Sequence, residues 1–347
     1  MKRIVIIAPS WIGDAVLSQP MLARLRHLHP SAIIDVVAPL WVMPVYQRMA
    51  EVNKVIVNPF GHGELRLLAR RTFGKSIQLE GDYDHAFVLP NSFKSALITW
   101  FADIRNTTGF RGEARNWLMS DCRRLDEELL PTMAERFASL AEPAGHLIHR
   151  PVATPSLVID RERRADTMRR LGLDRNKRII ALCPGAEYGP AKRWPTTHFA
   201  AYAKEQIAAG HHVWIFGGKS DHAIGEEINR LADNNCQNLC GETALDDAID
   251  LLSLANVVVT NDSGLMHIAC AVGAPVVALY GSSSPSFTPP LSATARIINL
   301  KITCSPCFQR VCPLGHFKCM NDMTPAMVSG ATSAVGIRAD TPQILGA

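Results

Sequence analysis

Four short segments of this 347-residue chain combine reactive side chains with glycines and helix-opening residues. The first is Pro9-Ser10-Trp11-Ile12-Gly13-Asp14, which follows an apolar run and puts a carboxylate where a helix begins. A carboxylate there either caps the helix and complements its dipole or faces a cleft as a general base, kept ionised to take a hydroxyl proton. The second is Asn261-Asp262-Ser263-Gly264-Leu265-Met266-His267. Ser263 and Gly264 stand at a helix start after a strand, where free N–H groups and the helix dipole favour an anion. His267, three residues past Gly264, lies on nearly the same helix face and suits a diphosphate site; a plain Ser or Asp cap is the alternative. The third, Gly185–Pro195, ends in Lys192-Arg193-Trp194. A solvated Lys-Arg pair is the ordinary role of such residues, whereas in a cleft Lys192 would neutralise a departing phosphate. The fourth is Cys304-x2-Cys307-x4-Cys312-x3-His316-x2-Cys319. Its residue types fit a structural zinc site or an iron–sulfur cluster, and equally reduced thiols or a disulfide. No two-knuckle zinc spacing is present.

The elements that must position these segments read as alternating strands and helices. Ile4–Ala8, Ile33–Ala38 and Ala86–Leu89 are short, apolar, β-branched runs of the kind buried on both faces of a sheet. Leu17–Leu28 and Phe93–Phe101 have helical spacing. After a charged stretch at 160–178, with Thr154-Pro155 upstream as linker, a second series begins: strands Ile179–Cys183, Val213–Phe216, Asn256–Thr260 and Pro275–Tyr280, with helices from Pro195 towards Gly210 and from Ser263 to Val272. Strand–loop–helix repeated in this way implies parallel sheets with right-handed crossovers. The chain is therefore expected to form two open α/β domains in tandem, 1–155 and 156–328, with a cleft between them. Ligands bind at the carboxyl ends of such strands, which is where the first three segments fall. The tail 329–347 lacks helical apolar spacing and contains Gly336 and Pro342, so it is expected to be disordered or a short return segment.

Composition bounds the remaining choices. A hydrophobic content of 47% and the absence of long like-charge blocks exclude a disordered chain. Nine cysteines, an odd number in a long chain, argue against a secreted disulfide scaffold. The net charge of +4, most of it in residues 1–150, is too small to imply nucleic acid. The run Ile4–Ala8 stops at Pro9 and is too short for a signal peptide. Ser263–Ala295, the longest stretch free of charged residues, is broken by glycine and proline and cannot span a membrane. A single glycine in the first loop means that the dinucleotide fingerprint is missing, which removes the main support for a dehydrogenase. A cytoplasmic location is expected.

The Pro9–Asp14 loop, Leu89-Pro90-Asn91-Ser92-Phe93-Lys94-Ser95, Gly185–Pro195 and Asn261–His267, in that order, resemble the ADP-heptose:lipopolysaccharide heptosyltransferases. The likeness runs from residue 1 to about residue 328 and is greatest to the type II enzymes, because the Ser-rich first loop and Thr-rich third loop of type I are missing. It implies a GT-B fold of two Rossmann-like domains, the first for the acceptor and the second for the nucleotide sugar. It also implies inverting transfer from ADP-heptose to heptosyl-Kdo-lipid A, with peripheral contact with the inner membrane. Asp14 matches the family's base and Lys192 its phosphate-binding lysine. Ser10, Asp262, Ser263, Gly264 and His267 match the donor loops. Asp221 lies where a relative uses Glu for the ribose, and Thr243 and Ala244 where main-chain contacts to adenine are expected. Lys94, Arg111 and Arg115 are candidates for the acceptor's anionic groups, although solvated surface cations are the plainer reading of each. No cofactor is required for transfer, and the cysteine cluster is absent from some relatives, so it would not perform it. A type I heptosyltransferase, or another GT-B transferase with a different sugar nucleotide, is the alternative within the same fold, and a metal-binding interaction module centred on Cys304–Cys319 is the reading from a different class.

Overall fold

The computed structural model describes residues 2–61 and 63–335. The chain divides into two compact units: one runs through Val158 and takes back Ser286–Thr288, and the other begins at Ile159 and comprises the rest. The division lies three residues beyond the junction expected from sequence.

The first unit holds strands β1 (Arg3–Ile7), β2 (Ile33–Pro39), β3 (Lys54–Asn58), β4 (His85–Val88), β5 (Thr107–Phe110) and β6 (Asp121–Arg123), all parallel, in the order β3-β2-β1-β4-β5-β6. The second holds β7 (Ile179–Cys183), β8 (His212–Ile215), β9 (Gln237–Asn238), β10 (Val257–Asn261), β11 (Val276–Tyr280) and β12 (Arg296–Asn299), also parallel, in the order β12-β11-β10-β7-β8-β9. Counted within each unit, both orders are 3-2-1-4-5-6, the doubly wound arrangement. The central strands are buried because helices cover both faces: all five residues of β7, β10 and β11 are buried, including polar Thr260 and Asn261 at the end of β10.

This topology selects the loops that matter. The strand order reverses between the first and fourth strands of each sheet, so a crevice opens beyond their carboxyl ends. In the first unit those ends carry Pro9–Asp14 after β1 and Leu89–Ser95 after β4. In the second they carry Gly185–Pro195 after β7 and Asp262–Gly264 after β10. Each loop leads into a helix: Ile12–Leu17, Phe93–Phe101, Thr196–Ala208 and Gly264–Ala271. The second core packs Trp194, Phe199 and Tyr202 against β7, β8 and β10, so the rear of the Lys192 loop is locked into the interior.

The boundary expected at residue 328 falls inside a helix. Residues 325–335 form a helix that packs on Thr196–Ala208 and on β11 and β12. Its inward side is Val328 and Thr332, and the Thr332 hydroxyl meets that of Tyr202 at 2.9 Å. A polar residue on the buried side is why apolar spacing did not reveal the helix. The remainder of the tail, including Gly336 and Pro342, lies outside the described residues.

Candidate active site

In the second unit, the Lys192 loop is fastened at both ends by Asn261. The Asn261 carboxamide oxygen accepts the Trp194 N–H at 3.0 Å, and its nitrogen donates to the Pro184 carbonyl at 2.7 Å. The Trp194 indole N–H donates to the Met323 carbonyl at 2.7 Å. The loop thus presents Lys192 from a short 3-10 turn, Pro190–Lys192. Its ammonium donates to the Asp262 carboxylate at 2.6 Å; the side chains are 18% and 4% exposed. A cation held at this depth by one carboxylate keeps donor capacity for an incoming anion.

Beside it stands the helix Gly264–Ala271, whose cap residue Ser263 is extended and makes no side-chain cap bond. The Ser263 hydroxyl is buried without a partner, and so are the hydroxyls of Ser282 and Ser283 after β11. Three orphaned hydroxyls at the carboxyl ends of adjacent strands are the acceptors and donors that a bound polar ligand would satisfy. His267 is buried, and desolvation pushes its pKa down to about 4, opposed by the charge of Asp262. It is therefore a neutral hydrogen-bonding imidazole at neutral pH, not a second cation.

The other three nucleotide candidates lie in the same unit. Asp221 stands in the turn after β8, accepts the Gly218 N–H at 3.0 Å and approaches Gly185 at the end of β7 so closely that an added Cβ would lie 2.4 Å from its carboxylate. The Thr243 hydroxyl donates to the Leu239 carbonyl at 3.2 Å. Ala244 caps the helix Leu245–Leu252, and its N–H is already given to Asp247 at 3.1 Å.

In the first unit, the cap position of the helix Ile12–Leu17 is Trp11, and Asp14 falls in the first turn, half-buried. Its charge helps to raise the pKa of buried Tyr46, behind the desolvation that dominates the shift. The Ser10 carbonyl accepts the Trp41 indole N–H at 2.9 Å, which pins the loop. Lys94 is half-buried near the start of Phe93–Phe101, and Arg111 is exposed. Arg115 is a correction. It is fully buried and its guanidinium is taken up by the carbonyls of Pro90, Ser92 and Phe110 and the Asn91 side chain. It braces the Leu89–Ser95 loop from behind and is not presented to an acceptor.

All nine cysteines are free thiols. Cys304, Cys307, Cys312 and Cys319 line one cavity of about 20 Å³ with His316 and Ala191. No group of three or more His, Cys, Asp or Glu among the described residues is arranged to hold a metal ion, so the zinc or iron–sulfur reading of these four positions finds no support. Among the described residues, no helix is long and apolar enough to cross a membrane.

Sequence reasoning missed Ser282 and Ser283. Their only signal is a serine run just after an apolar strand, within the uncharged stretch that glycine and proline keep from spanning a membrane.

Two parallel sheets of this order, one carrying a buried lysine–carboxylate pair beside orphaned hydroxyls and the other a helix-start carboxylate, make a doubly wound α/β fold, and its likeness to known proteins makes it a GT-B-type glycosyltransferase. The family model described as Glycosyltransferase family 9 (heptosyltransferase) matches residues 70–318, and the chain belongs to that family. It is 44% identical over 335 residues to lipopolysaccharide heptosyltransferase 2 of Escherichia coli K12, covering 94% of this chain and 96% of that one. It is 43% identical over 311 residues to lipooligosaccharide heptosyltransferase 2 of Haemophilus influenzae, covering 86% and 88%. The solved structure of E. coli ADP-heptose lps heptosyltransferase II superposes with a TM-score of 0.86 at 43% identity, over 96% of this chain and 98% of that one.

Proposed function

We propose that this chain transfers L-glycero-D-manno-heptose from ADP-heptose to the first heptose of the lipopolysaccharide inner core, heptosyl-Kdo-lipid A, with inversion at the anomeric carbon. The observation that carries the reading is the buried Lys192–Asp262 pair beside the unpartnered hydroxyls of Ser263, Ser282 and Ser283. It is a site for a polyanion at a sheet's switch point, in a chain whose full-length relatives bear the heptosyltransferase 2 name.

In this mechanism the Asp14 carboxylate takes the proton of the acceptor hydroxyl as its oxygen attacks the anomeric carbon. The bond to ADP breaks in the same displacement, through an oxocarbenium-like transition state. The charge that develops on the diphosphate is met by Lys192 and by the free N–H groups at Gly264, with Ser263 and neutral His267 as hydrogen-bond partners. These groups supply the electrostatic role that a divalent cation would otherwise fill, so transfer needs no cofactor. Ser10 lines the donor side of the first loop, Asp221 binds the ribose and Thr243 contacts the adenine. Lys94 and Arg111 remain as partners for the acceptor's carboxylates or phosphates. Because the acceptor is lipid-linked, the reaction is placed at the cytoplasmic face of the inner membrane, with peripheral contact.

The test is product analysis with ADP-heptose and two acceptors, Kdo-lipid A with and without the first heptose. Mass addition of one heptose to the heptosylated acceptor, with inverted anomeric configuration, is expected. Transfer to the unheptosylated acceptor alone would instead assign the first-heptose reaction.

A further inference from the structure

Tyr188 joins the Lys192 loop to the thiol-lined segment 304–319, which the proposed transfer does not use. Its hydroxyl donates to the Phe308 carbonyl at 2.6 Å. Its ring carries two cations, with the Lys192 ammonium 5.2 Å and the Arg310 guanidinium 5.6 Å from the centroid. Alongside, the Ala191 N–H donates to the Arg310 carbonyl at 3.1 Å. Gly189, at φ +153°, fits so tightly that an added Cβ would lie 2.4 Å from the same carbonyl. The Phe308 N–H in turn donates to the Ser282 carbonyl at 2.7 Å, so residues 308–310 are fixed to the serine turn and to the lysine loop at once.

We propose that Tyr188 is a positioning residue for Lys192, with main-chain atoms of the 304–319 segment as its anchor. The proposal rests on the reading of Lys192 as the diphosphate ligand. A lysine side chain has four rotatable carbons and a compact charge. Asp262 restrains the ammonium from one direction only. The ring face supplies a second attraction that does not compete for its N–H donors, because a cation is drawn to the ring quadrupole. When a diphosphate shares the ammonium with Asp262, the ring keeps it from following either anion fully. The thiol-lined segment thereby acquires a mechanical role in donor binding without reacting.

The experiment is a substitution cycle on the full-length protein. Tyr188→Leu and Tyr188→Phe are each made alone and with Lys192→Ala, and ADP affinity is measured by calorimetry together with donor KM, kcat and Tm. Tyr188→Leu should weaken ADP about tenfold, the scale of one desolvated cation–ring contact. Tyr188→Phe keeps the ring and should lose only about threefold. In the Lys192→Ala background neither change should weaken ADP further. The proposal is overturned if Tyr188→Leu leaves ADP affinity unchanged while folding normally. It is equally overturned if the tenfold loss persists without Lys192, since Tyr188 would then act independently of the ammonium. Should Lys192→Ala itself leave ADP binding intact, the diphosphate reading of Lys192 falls and takes the proposal with it, a pattern distinct from the other two.

Discussion

Replacing Lys192 by alanine separates the two jobs of that residue, which are to bind an anion and to neutralise Asp262. The Asp262 side chain is 4% exposed and loses the Lys192 ammonium, its ion-pair partner at 2.6 Å. An uncompensated carboxylate at that depth costs about 3–5 kcal/mol. The Lys192 side chain, at 18% exposed, leaves a path for water, so the lower end applies. For a unit of this size about 3 kcal/mol corresponds to a fall in Tm of roughly 6–12 °C. Removing both charges in Lys192→Ala/Asp262→Asn should return most of that loss, because a neutral pair no longer carries a desolvation penalty. ADP affinity should stay low in both variants. Thermal unfolding of the ligand-free proteins, followed by circular dichroism, reads the first effect, and calorimetric titration with ADP reads the second. If the double variant is no more stable than the single one, the stability loss does not come from a stranded Asp262 charge and the reasoning fails.

Asp14→Asn should lower turnover by about a hundredfold or more while leaving ADP affinity within about twofold, as measured by product formation and titration; full activity would remove Asp14 as the base. Arg115→Lys should destabilise the first unit by about 2–4 kcal/mol in urea unfolding, since a single ammonium cannot serve the same set of carbonyls, while acceptor KM in the folded fraction stays unchanged. His267 titrates near 4 in the folded protein against about 6.5 unfolded. Between those values the unfolded chain binds the extra proton, so the stabilisation is full above about pH 6.5 and is lost as pH falls towards 4. Lowering the pH from 7 to 5 should therefore cost the parent about 2 kcal/mol more than it costs His267→Gln, and equal losses would contradict the buried neutral state. Gly185→Ala should displace the Asp221 carboxylate, a flexible group, weakening ADP about threefold to tenfold with little change in Tm; an unaltered ADP affinity would dissociate Asp221 from the ribose.

The parts of the fold that could be read in sequence are those where burial is uniform. Strands β7 and β11 stand out as unbroken apolar runs, and β1 and β10 as apolar runs bounded by Arg3 and by Thr260-Asn261, because both of their faces are covered. Strand β9 is two residues long, and β12 exposes Arg296 and Ile297, so neither leaves an apolar signature. Strand β5 is buried yet begins Thr107-Thr108, whose hydroxyls are satisfied by partners distant in sequence, Ser120 and His85. The helix Pro325–Val335 hides for the same reason, because Thr332 holds an inward position through its bond to Tyr202.

The candidate site divides along a related line. Asp14, Lys192 and the Asp262–His267 segment each lie in or just past the loop that follows a strand, so local pattern and strand-end chemistry suffice to find them. The bracing role of Arg115 is not legible in sequence, because a buried arginine bonded to carbonyls and a solvated one are the same letter; the return of the chain at Pro90–Ser92 and Phe110 distinguishes them. Tyr188 gains its meaning from Phe308 and Arg310, across 120 residues of sequence. Ser282 and Ser283 follow β11, which lies next to β10 in the sheet. Once the order 3-2-1-4-5-6 is known, the loop after the fifth strand must neighbour the loop after the fourth, and its hydroxyls become candidates on topology alone. Strand order is thus the missing information between a list of promising loops and a site, because it determines which of those loops share a crevice.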